Sequence, residues 1–567
     1  MKRFVIGCVL LMVCTLCFCQ TNNPTSIYEG LTIYEVNIRV ANEMSDSITA
    51  QNRLGEIKQA FAIAPNTQYS AIMASYYRSK VNLLPFVANS QISVTPTTEN
   101  QISITLDVTL SPSTKSDKRE IGLKNSSLLP VFYNSRRCYL TMRVAASEMA
   151  YSNDNSWFGQ PEKMTAGNPL ADSPSGQGWS AWLEGFASAG VYGVFDLIPR
   201  MNLHLYGGAS YLISFSAGDE LFTQKARMHG AMEDAFVGFV GGRVTAAGDK
   251  YLYNVTYGRK SFILGDGWLI VNTSMNGSYR AALQVNPRWA AKTLFSGSFQ
   301  WNGLMAQGFM VKPNELDILD SKTTLVGANL QLTGKYKTTF GLSYITATSS
   351  DFRYYMPDGT MYSRKGLEVY NLRLYKTTPK NGGVFFKGEL GYERNRNFDM
   401  NAWAYYAELG WNFAKTKGSP TVSYRYASSS GDNPDSKSYN RWDALYTGGN
   451  GEQWVQGTNM YKIVQNSNEI THRLQIVYNP AAKIQMVGQI WLFYADKLNN
   501  IGGNPALSTL KSKFYGSEYN LTIKYFYSRR WYFHFNTAYT LPGAAIKDIV
   551  SDTKAWYAVT LFARYSF

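Results

Sequence analysis

From about residue 130 onward, the chain is a series of segments in which apolar and polar residues alternate. About eighteen such segments begin near residues 137, 179, 200, 229, 250, 274, 289, 323, 337, 365, 383, 400, 419, 469, 482, 517, 530 and 555. A period of two predicts β-strands that have one apolar face. Most segments have the roughly ten residues that a tilted strand needs to cross a bilayer. The series therefore predicts a large antiparallel sheet with one face toward lipid.

The links between these segments alternate in length. Beginning after the second segment, every second link is tight, and these links read IPRM, AAGDK, VNPR, GKYK, TPKNG, TKGS, NPAAK and SRR. Most other links are long, and the exception is the link from Asn395 to Asn401. Short turns at one end and long loops at the other are typical of outer-membrane barrels. The sequence thus predicts an all-β transmembrane barrel, antiparallel, of about 18 strands (16–18), over residues 130–567.

The last segment, AWYAVTLFARYSF, has apolar residues at every second position and ends on Phe567. A sheet in lipid cannot leave backbone groups unpaired at its edges, so its first and last strands must pair. We expect this segment to close the cylinder, with Phe567 recognised by the barrel-assembly machinery. The alternative is the terminal strand of a soluble sandwich, which the alternating link lengths disfavour.

The N-terminus reads as a secretory signal over residues 1–19. Lys2 and Arg3 precede an apolar run, and CFC before Gln20 fits a cleavage site with small flanking residues. Removing it leaves Cys138 as the single cysteine and lowers the formal net charge of +15 by two. A strongly basic chain favours anionic partners. No later apolar run approaches the roughly 20 residues of a membrane-spanning helix, so any membrane crossing uses strands.

Residues 27–110 mix helical and strand patterns. LTIYEVNIRV alternates as a strand, and Ile48, Leu54, Ile57 and Phe61 recur at roughly helical spacing. A second helix and two strands follow, and the polar linker 111–129 separates this region from the barrel. The order of elements resembles the polypeptide-transport-associated (POTRA) module ahead of some barrels. The alternative is any other small α+β domain, and both place a small α+β periplasmic domain before the barrel.

Two stretches of the barrel region resemble the alginate-export porins. The first contains MEDAFVGF, YNVTYGRKSFILGDGWLI and NGSYRAALQVNPR, with the matching positions Glu233, Asp234, Gly258, Arg259, Lys260, Gly265, Gly267 and Arg280. The second is a long loop with the matching positions Gly431, Asp432, Trp442, Leu445 and Tyr446. The resemblance implies an eighteen-strand barrel that passes an acidic polysaccharide. The chain departs from the family in its N-terminal domain and in reading Trp442, Asp443, Ala444 where a Phe-Pro run is expected.

If apolar residues face lipid, strand parity turns the polar residues toward the lumen. The basic lumen candidates are Arg143, Arg259, Arg280, Arg373, Lys387, Arg425, Arg473, Lys483, Lys524 and Arg564. The same parity turns Glu184, Glu389 and Glu518 inward. Cations on the wall lower the entry barrier for anions and raise it for cations. The alternative is that each basic residue pairs across strands and only supports the wall.

The residues favour transport over catalysis. The four histidines, His204, His229, His472 and His534, show neither a triad pattern nor metal-ligand spacing. We expect no catalytic residue, metal or cofactor, and no nucleic-acid partner. The predicted function is an outer-membrane channel or porin for the diffusion or export of anionic solutes, such as acidic oligo- or polysaccharides. The alternative is a polypeptide secretion or assembly transporter, in which the N-terminal domain receives a protein or docks a periplasmic partner.

Overall fold

The structure of the chain is a computed structural model. It describes residues 28, 31–41, 47–65, 67–98, 101–110, 131–135, 137–244, 250–334, 338–356, 359–376, 382–448, 454–499, 501–528 and 530–566. The predicted signal 1–19, the predicted linker 111–129 and Phe567 lie outside the described residues. Among the described residues, no helix is both long enough and apolar enough to cross a membrane.

The N-terminal region is a small α+β domain, as predicted. Its elements in chain order are β1 (Thr32–Ala41), α1 (Ser47–Ala60), α2 (Ala71–Asn82), β2 (Val87–Thr98) and β3 (Gln101–Leu110). Strand β3 is central, parallel to β1 and antiparallel to β2. Ile102, Ile104 and Leu106 alternate along β3 and are fully buried. This apolar face packs with residues of both helices in one core.

The remaining strands form the barrel and one hairpin in a loop. The barrel strands are β4 (Val131–Asn134), β5 (Cys138–Asp154), β6 (Trp179–Ile198), β7 (Leu203–Gly218), β8 (Arg227–Val244), β9 (Lys250–Arg259), β10 (Thr293–Trp301), β11 (Leu304–Lys312), β12 (Thr324–Thr333), β13 (Thr338–Ser349), β16 (Leu367–Lys376), β17 (Gly383–Asn395), β18 (Ala402–Asn412), β19 (Thr421–Ser429), β20 (Glu469–Ala481), β21 (Ile484–Tyr494), β22 (Phe514–Tyr525), β23 (Trp531–Pro542) and β24 (Trp556–Ser566). Strands β14 (Arg353–Tyr355) and β15 (Met361–Ser363) make the hairpin between β13 and β16. Two short helices, α3 (Pro161–Met164) and α4 (Ala544–Ile549), lie in loops.

The barrel closes between its last strand and β5. Strand β24 pairs antiparallel with β5, from Tyr557 opposite Asp154 to Ser566 opposite Ala145. The closed cylinder has 18 antiparallel strands, and the four-residue β4 extends the pairing on β5. Closure pairs the backbone groups of both end strands, which lipid requires. The predicted fold class is confirmed.

One predicted strand and one predicted turn are wrong. The segment near residue 274 is not a strand, because residues 260–292 form a long loop, and VNPR lies within that loop. The strand missed in its place is β11, which follows β10 through a turn at Asn302 and Gly303. Asn302 has the positive φ of 50° that such a hairpin turn needs. One false strand and one missed strand leave the count unchanged.

The outer surface of the barrel is apolar, as parity predicted. In β24, Leu561 is 57% exposed and faces out, while the neighbouring Thr560 and Phe562 are buried inside. Leu342, Tyr370 and Trp403 extend the exposed face across three further strands. An apolar exterior with paired backbone throughout suits a hydrocarbon environment.

Candidate functional site

The N-terminal domain occupies the periplasmic end of the barrel lumen. Tyr76 and Tyr77 of α2 share one core with Tyr139, Tyr192 and Tyr206, which face inward from β5, β6 and β7. These contacts lie beside the short turn between β6 and β7, at the end opposite the long loops. The domain therefore packs inside the cylinder.

A polar contact within this interface joins α2 to the barrel wall. Lys80 Nζ lies 3.1 Å from Asp196 Oδ2, and His204 Nδ1 lies 3.3 Å from Asp196 Oδ1. The Tyr76 hydroxyl hydrogen-bonds with His204 Nδ1 at 3.2 Å. Burial, and next the negative charge of Asp196, raise the pKa of Tyr76 well above its ordinary value. Tyr76 therefore stays protonated. We call Tyr76, Lys80, Asp196 and His204 the plug contact.

Loop 260–292 folds into the lumen and is held there by carboxylates of the wall. Glu233 Oε1 of β8 accepts the backbone N–H of Trp289 at 2.7 Å and of the next residue at 2.8 Å. Glu184 Oε1 of β6 accepts the N–H of Gln284 at 2.6 Å. Each bond satisfies a backbone donor that the loop would otherwise leave unpaired inside the lumen. Two inward glutamates therefore serve to anchor a loop.

The described residues of loop 430–468 also fold inward and are anchored in the same way. Glu518 Oε2 of β22 accepts the backbone N–H of Asn459 at 3.0 Å and of Met460 at 2.8 Å. Where the two inward loops meet, the Val271 N–H donates to the carbonyl of Tyr446 at 3.0 Å. The paired loops narrow the extracellular half of the lumen.

A buried ion pair fixes the middle of loop 430–468. Arg364, just before β16, donates through Nε to Asp443 Oδ2 at 2.7 Å and through Nη2 to Oδ1 at 3.0 Å. The Tyr354 hydroxyl donates to the same Oδ2 at 2.6 Å. Burial alone raises the pKa of Asp443, but Arg364 and the hydrogen bonds outweigh it and lower that pKa below its ordinary value. Asp443 is therefore ionised where the family's Phe-Pro run is expected.

A cavity of about 1150 Å³ lies between the N-terminal domain and these loops. Tyr28 and Ile72 of the N-terminal domain line it, as does Asn168 of the loop between β5 and β6. Its basic lining residues are Arg143, Lys260, Arg364, Lys387, Lys462, Arg473, Lys524 and Arg564, and its acidic ones are Glu233, Asp234, Glu315 and Glu408. Eight cations against four carboxylates give the described lining a net positive charge.

The cavity is bordered by β5 to β8 and by a wall that runs from β17 to β24. Amide side chains line this wall, and they are Gln475, Gln485, Gln489, Asn520 and Asn536. The basic residues Lys387, Lys524 and Arg564 lie among them. The N-terminal domain contacts the opposite side, for example at Asp196 of β6 and Gln300 of β10, whose Nε2 donates to the Pro65 carbonyl at 3.0 Å. The polar wall thus borders the cavity.

Five of the ten predicted lumen residues line this cavity. They are Arg143, Lys387, Arg473, Lys524 and Arg564. Arg473 Nη2 donates to Glu408 Oε1 at 2.6 Å, which is the cross-strand pairing that the alternative reading expected. The Arg143 guanidinium lies 5.0 Å from the ring centre of Tyr192. Arg473 and Arg143 therefore contact other side chains of the barrel wall and also line the cavity.

Four other candidates are inward or loop residues held in dense contacts. Arg259 Nε donates to the Glu233 carbonyl at 3.0 Å, and Arg280 Nη2 to the Glu315 carbonyl at 2.6 Å. Arg373 Nη1 donates to Ser343 Oγ at 2.7 Å. The guanidinium of Arg425 lies 4.4 Å from the ring centre of Trp454. Their described contacts are with the protein, and none of the four lines the described cavity.

Lys483 is the candidate that the structure places elsewhere. It lies exposed in the short turn between β20 and β21, and its Nζ donates to the Tyr527 carbonyl at 2.8 Å. Strand parity does not apply to Lys483, because β20 ends at Ala481 and β21 begins at Ile484. Its assignment to the lumen wall is corrected.

Sequence reasoning did not place Lys462 and Arg364 in the lumen. Both belong to loops, where strand parity carries no information, and no short motif marks them. Burial lowers the pKa of Lys462 to about 8, although Glu518 and Glu184 attract its charge. Lys462 therefore titrates close to physiological pH. Among the described residues, no group of three or more His, Cys, Asp or Glu is placed to hold a metal ion.

Comparison with known proteins gives a family match for the barrel. A family profile described as alginate export matches residues 218–558, which is more than half of the 567 residues. This stretch contains both inward loops and the strands from β8 to β23. A search of curated proteins finds no significant relative of the chain.

Solved structures of outer-membrane proteins share the shape only in part. OccK7 (OpdD) of Pseudomonas aeruginosa is 10% identical, with a TM-score of 0.42, over 76% of this chain and 98% of that one. The outer membrane protein opdK of the same organism is 9% identical, with a TM-score of 0.44, over 75% and 98%. OccK9 (OpdG), also from Pseudomonas aeruginosa, is 10% identical, with a TM-score of 0.45, over 76% and 98%. At these TM-scores the likeness carries no functional argument.

Proposed function

We propose that this chain, which belongs to the alginate export family, passes anionic solutes such as acidic oligo- or polysaccharides through its lumen. Its family and its closed, apolar-sided barrel make it an outer-membrane channel protein. The proposal for the solute rests on one observation, the excess of eight basic over four acidic side chains around the cavity. A cationic lining favours anions in a confined, low-dielectric passage.

The uses of the wall carboxylates support this proposal. Glu184, Glu233 and Glu518 direct oxygens to backbone N–H groups of the inward loops. Glu408 is paired with Arg473. Carboxylates engaged in this way compete less for a passing cation, while several basic groups border the cavity. The surplus charge met by a solute is therefore positive.

The passage that we propose follows β17 to β24. Amide groups such as Gln489 and Asn520 offer hydrogen bonds to hydroxyls, and Lys387, Lys524 and Arg564 offer charge to carboxylates. A solute that carries both hydroxyl and carboxylate groups fits this wall better than a simple ion does. The N-terminal domain, which occupies the opposite side, acts in this proposal as a plug that restricts the periplasmic opening.

Solute block of single channels in planar bilayers tests the proposal. We expect oligouronates to interrupt the current at lower concentrations than neutral oligosaccharides of the same length. K387Q/K524Q/R564Q removes three cavity cations and should raise the blocking concentration of oligouronates several-fold, while K483Q, in the exposed turn, should leave it unchanged. Equal block by acidic and neutral sugars, or an unchanged blocking concentration in the triple variant, would contradict the proposal.

A further inference from the structure

The lipid-facing surface of the barrel contains a groove where side chains are missing from a cross-strand row. Gly297 of β10 lies opposite Gly308 of β11, and Gly308 lies opposite Ala328 of β12. A Cβ added at Gly308 would meet no atom within 4 Å, so the space above it is open. Successive strands continue the row with Tyr344 and Tyr370. Small residues beside large aromatic ones create a depression in the outer wall.

This groove has a volume of about 1050 Å³ and an apolar lining. Its large lining residues are Tyr253, Val255, Phe299, Leu330, Leu342, Tyr344, Tyr370, Leu372, Leu390, Tyr392 and Trp403. The strands that carry it cross the membrane, so the groove opens toward hydrocarbon. Hydrocarbon chains gain contacts in an apolar depression that a smooth wall does not offer.

A cationic cluster lies at the extracellular end of the same surface. Arg394 Nε donates to Glu368 Oε2 at 2.7 Å, and Arg396 Nε donates to Glu368 Oε1 at 2.8 Å. The side chains of Arg394 and Arg396 are 54% and 60% exposed, whereas Glu368 is 4% exposed. Two guanidinium groups share one carboxylate, so the cluster carries a net positive charge on its outer side. Arginine binds phosphate oxygens through paired donors.

The cluster and the groove share residues. Arg396 Nη2 donates to the Tyr344 hydroxyl at 2.9 Å, and the Arg394 guanidinium lies 5.6 Å from the ring centre of Tyr370. Tyr344 and Tyr370 both line the groove. A molecule with an anionic head and an apolar chain can therefore contact the cluster and the groove together. This continuity selects an amphiphile over a free anion.

We propose that this surface binds a phosphorylated lipid of the outer leaflet, with its phosphate on Arg394 and Arg396 and an acyl chain in the groove beside Gly308. The charge of the cluster matches a phosphate, and the groove lies where acyl chains already surround the barrel. The inference does not depend on the solute that the lumen passes. A second copy of the chain is the other occupant that an apolar wall admits, and the experiment distinguishes the two.

Native mass spectrometry of the full-length protein in detergent tests the proposal. The probes are bisphosphorylated lipid A and the same lipid without its phosphates. We expect the wild-type protein to bind the phosphorylated probe more tightly, and R394Q/R396Q to weaken this binding by about tenfold. E368Q removes the neutralising carboxylate and should strengthen it. R353Q changes an exposed arginine that does not line the groove, so it should have no effect.

Filling the groove gives a second and independent variant. G308L places a side chain in the open space of the groove without altering the cluster, and it should also weaken binding of the phosphorylated probe. Heat-modifiable migration on gels confirms that each variant is folded. Equal binding of both probes, or full binding by R394Q/R396Q, would overturn the proposal. So would a dimer or trimer that G308L abolishes while lipid binding stays unchanged, because a second copy would then cover the groove.

Discussion

At the scale of single residues, Lys462 is a buried ammonium group on the surface of the lumen cavity. Its Nζ donates to the Thr458 carbonyl in its own loop. Water reaches such a group poorly, so the neutral form becomes accessible within a few units of physiological pH. The charge of the passage then depends on pH at this position.

Anion preference should therefore fall as the pH rises through about 8, the lowered pKa of Lys462. Below that pH Lys462 is a cation and attracts anions, and above it the group is neutral. The measurement is the reversal potential in a salt gradient between pH 7 and 9. K462M should show a flat profile over this range, and K483M should keep the slope. A wild-type profile without a slope would refute the assignment.

The buried pair of Arg364 and Asp443 should protect loop 430–468 from proteolysis. Removing one partner of a buried ion pair leaves a charge without compensation and costs about 3–5 kcal/mol. R364M should therefore loosen loop 430–468, and limited proteolysis of the folded protein should cleave this loop faster. R364M/D443N removes both charges of the pair and should recover part of the protection. Unchanged cleavage of R364M would show that the pair does not hold the loop.

At the scale of elements, most strands could be predicted from the sequence because period-two alternation is a local property. Asn302 and Gly303 form a two-residue hairpin turn, and an Asn-Gly pair between two alternating segments is itself a local signal for such a turn. Loop 260–292 was partly mistaken for a strand because its apolar residues Ala282 and Val285 are buried by a folded loop instead of by lipid. An alternating pattern does not show what covers the apolar face.

The position of the N-terminal domain could not be predicted in this way. Its packing depends on contacts between residues far apart in sequence, such as Ser75 with Tyr139 and Tyr76 with His204. Composition and periodicity give no information about such pairs. The different contacts of the inward basic residues could not be predicted for the same reason. Strand parity turns Arg373 and Lys524 inward alike. In the structure, Arg373 hydrogen-bonds to Ser343 and Asn371, whereas Lys524 lines the cavity.

The contact between helix α2 and the barrel wall should control how often the channel is open. D196N weakens the plug contact by about 2 kcal/mol, the usual worth of a charged hydrogen bond, and should raise the open fraction of single channels by up to about thirtyfold. K80D should act similarly, and K80D/D196K should restore the wild-type value. K58D alters an exposed lysine of α1 and serves as the control. If D196N left the open fraction unchanged and K80D/D196K did not restore the wild-type value, the plug role would be contradicted.

At the scale of the whole molecule, the barrel combines an apolar outer face with a cationic lumen, and its seam joins the two ends of the cylinder. Trp556 Nε1 of β24 donates to Asn153 Oδ1 of β5 at 2.7 Å across that seam. Glu184, Glu233 and Glu518 hold loops, several inward cations border the cavity, and apolar residues face lipid. One alternating pattern thus supplies the membrane surface and the passage.

The membrane surface gives a prediction that depends on depth. Leu561 lies in the middle of β24 and Tyr557 lies near its extracellular end. L561R should lower the free energy of unfolding in lipid vesicles by about 2–4 kcal/mol, whereas Y557R should cost about 1 kcal/mol or less. Urea titration of the folded protein in vesicles measures both values. Equal costs at the two positions would mean that β24 does not cross the bilayer as described.

The most direct test of the account is the sign of the reversal potential of the full-length protein in a planar bilayer with a potassium chloride gradient. A closed cylinder with a net cationic lumen predicts a potential that reports higher permeability for chloride than for potassium. A potential of the opposite sign would contradict the account.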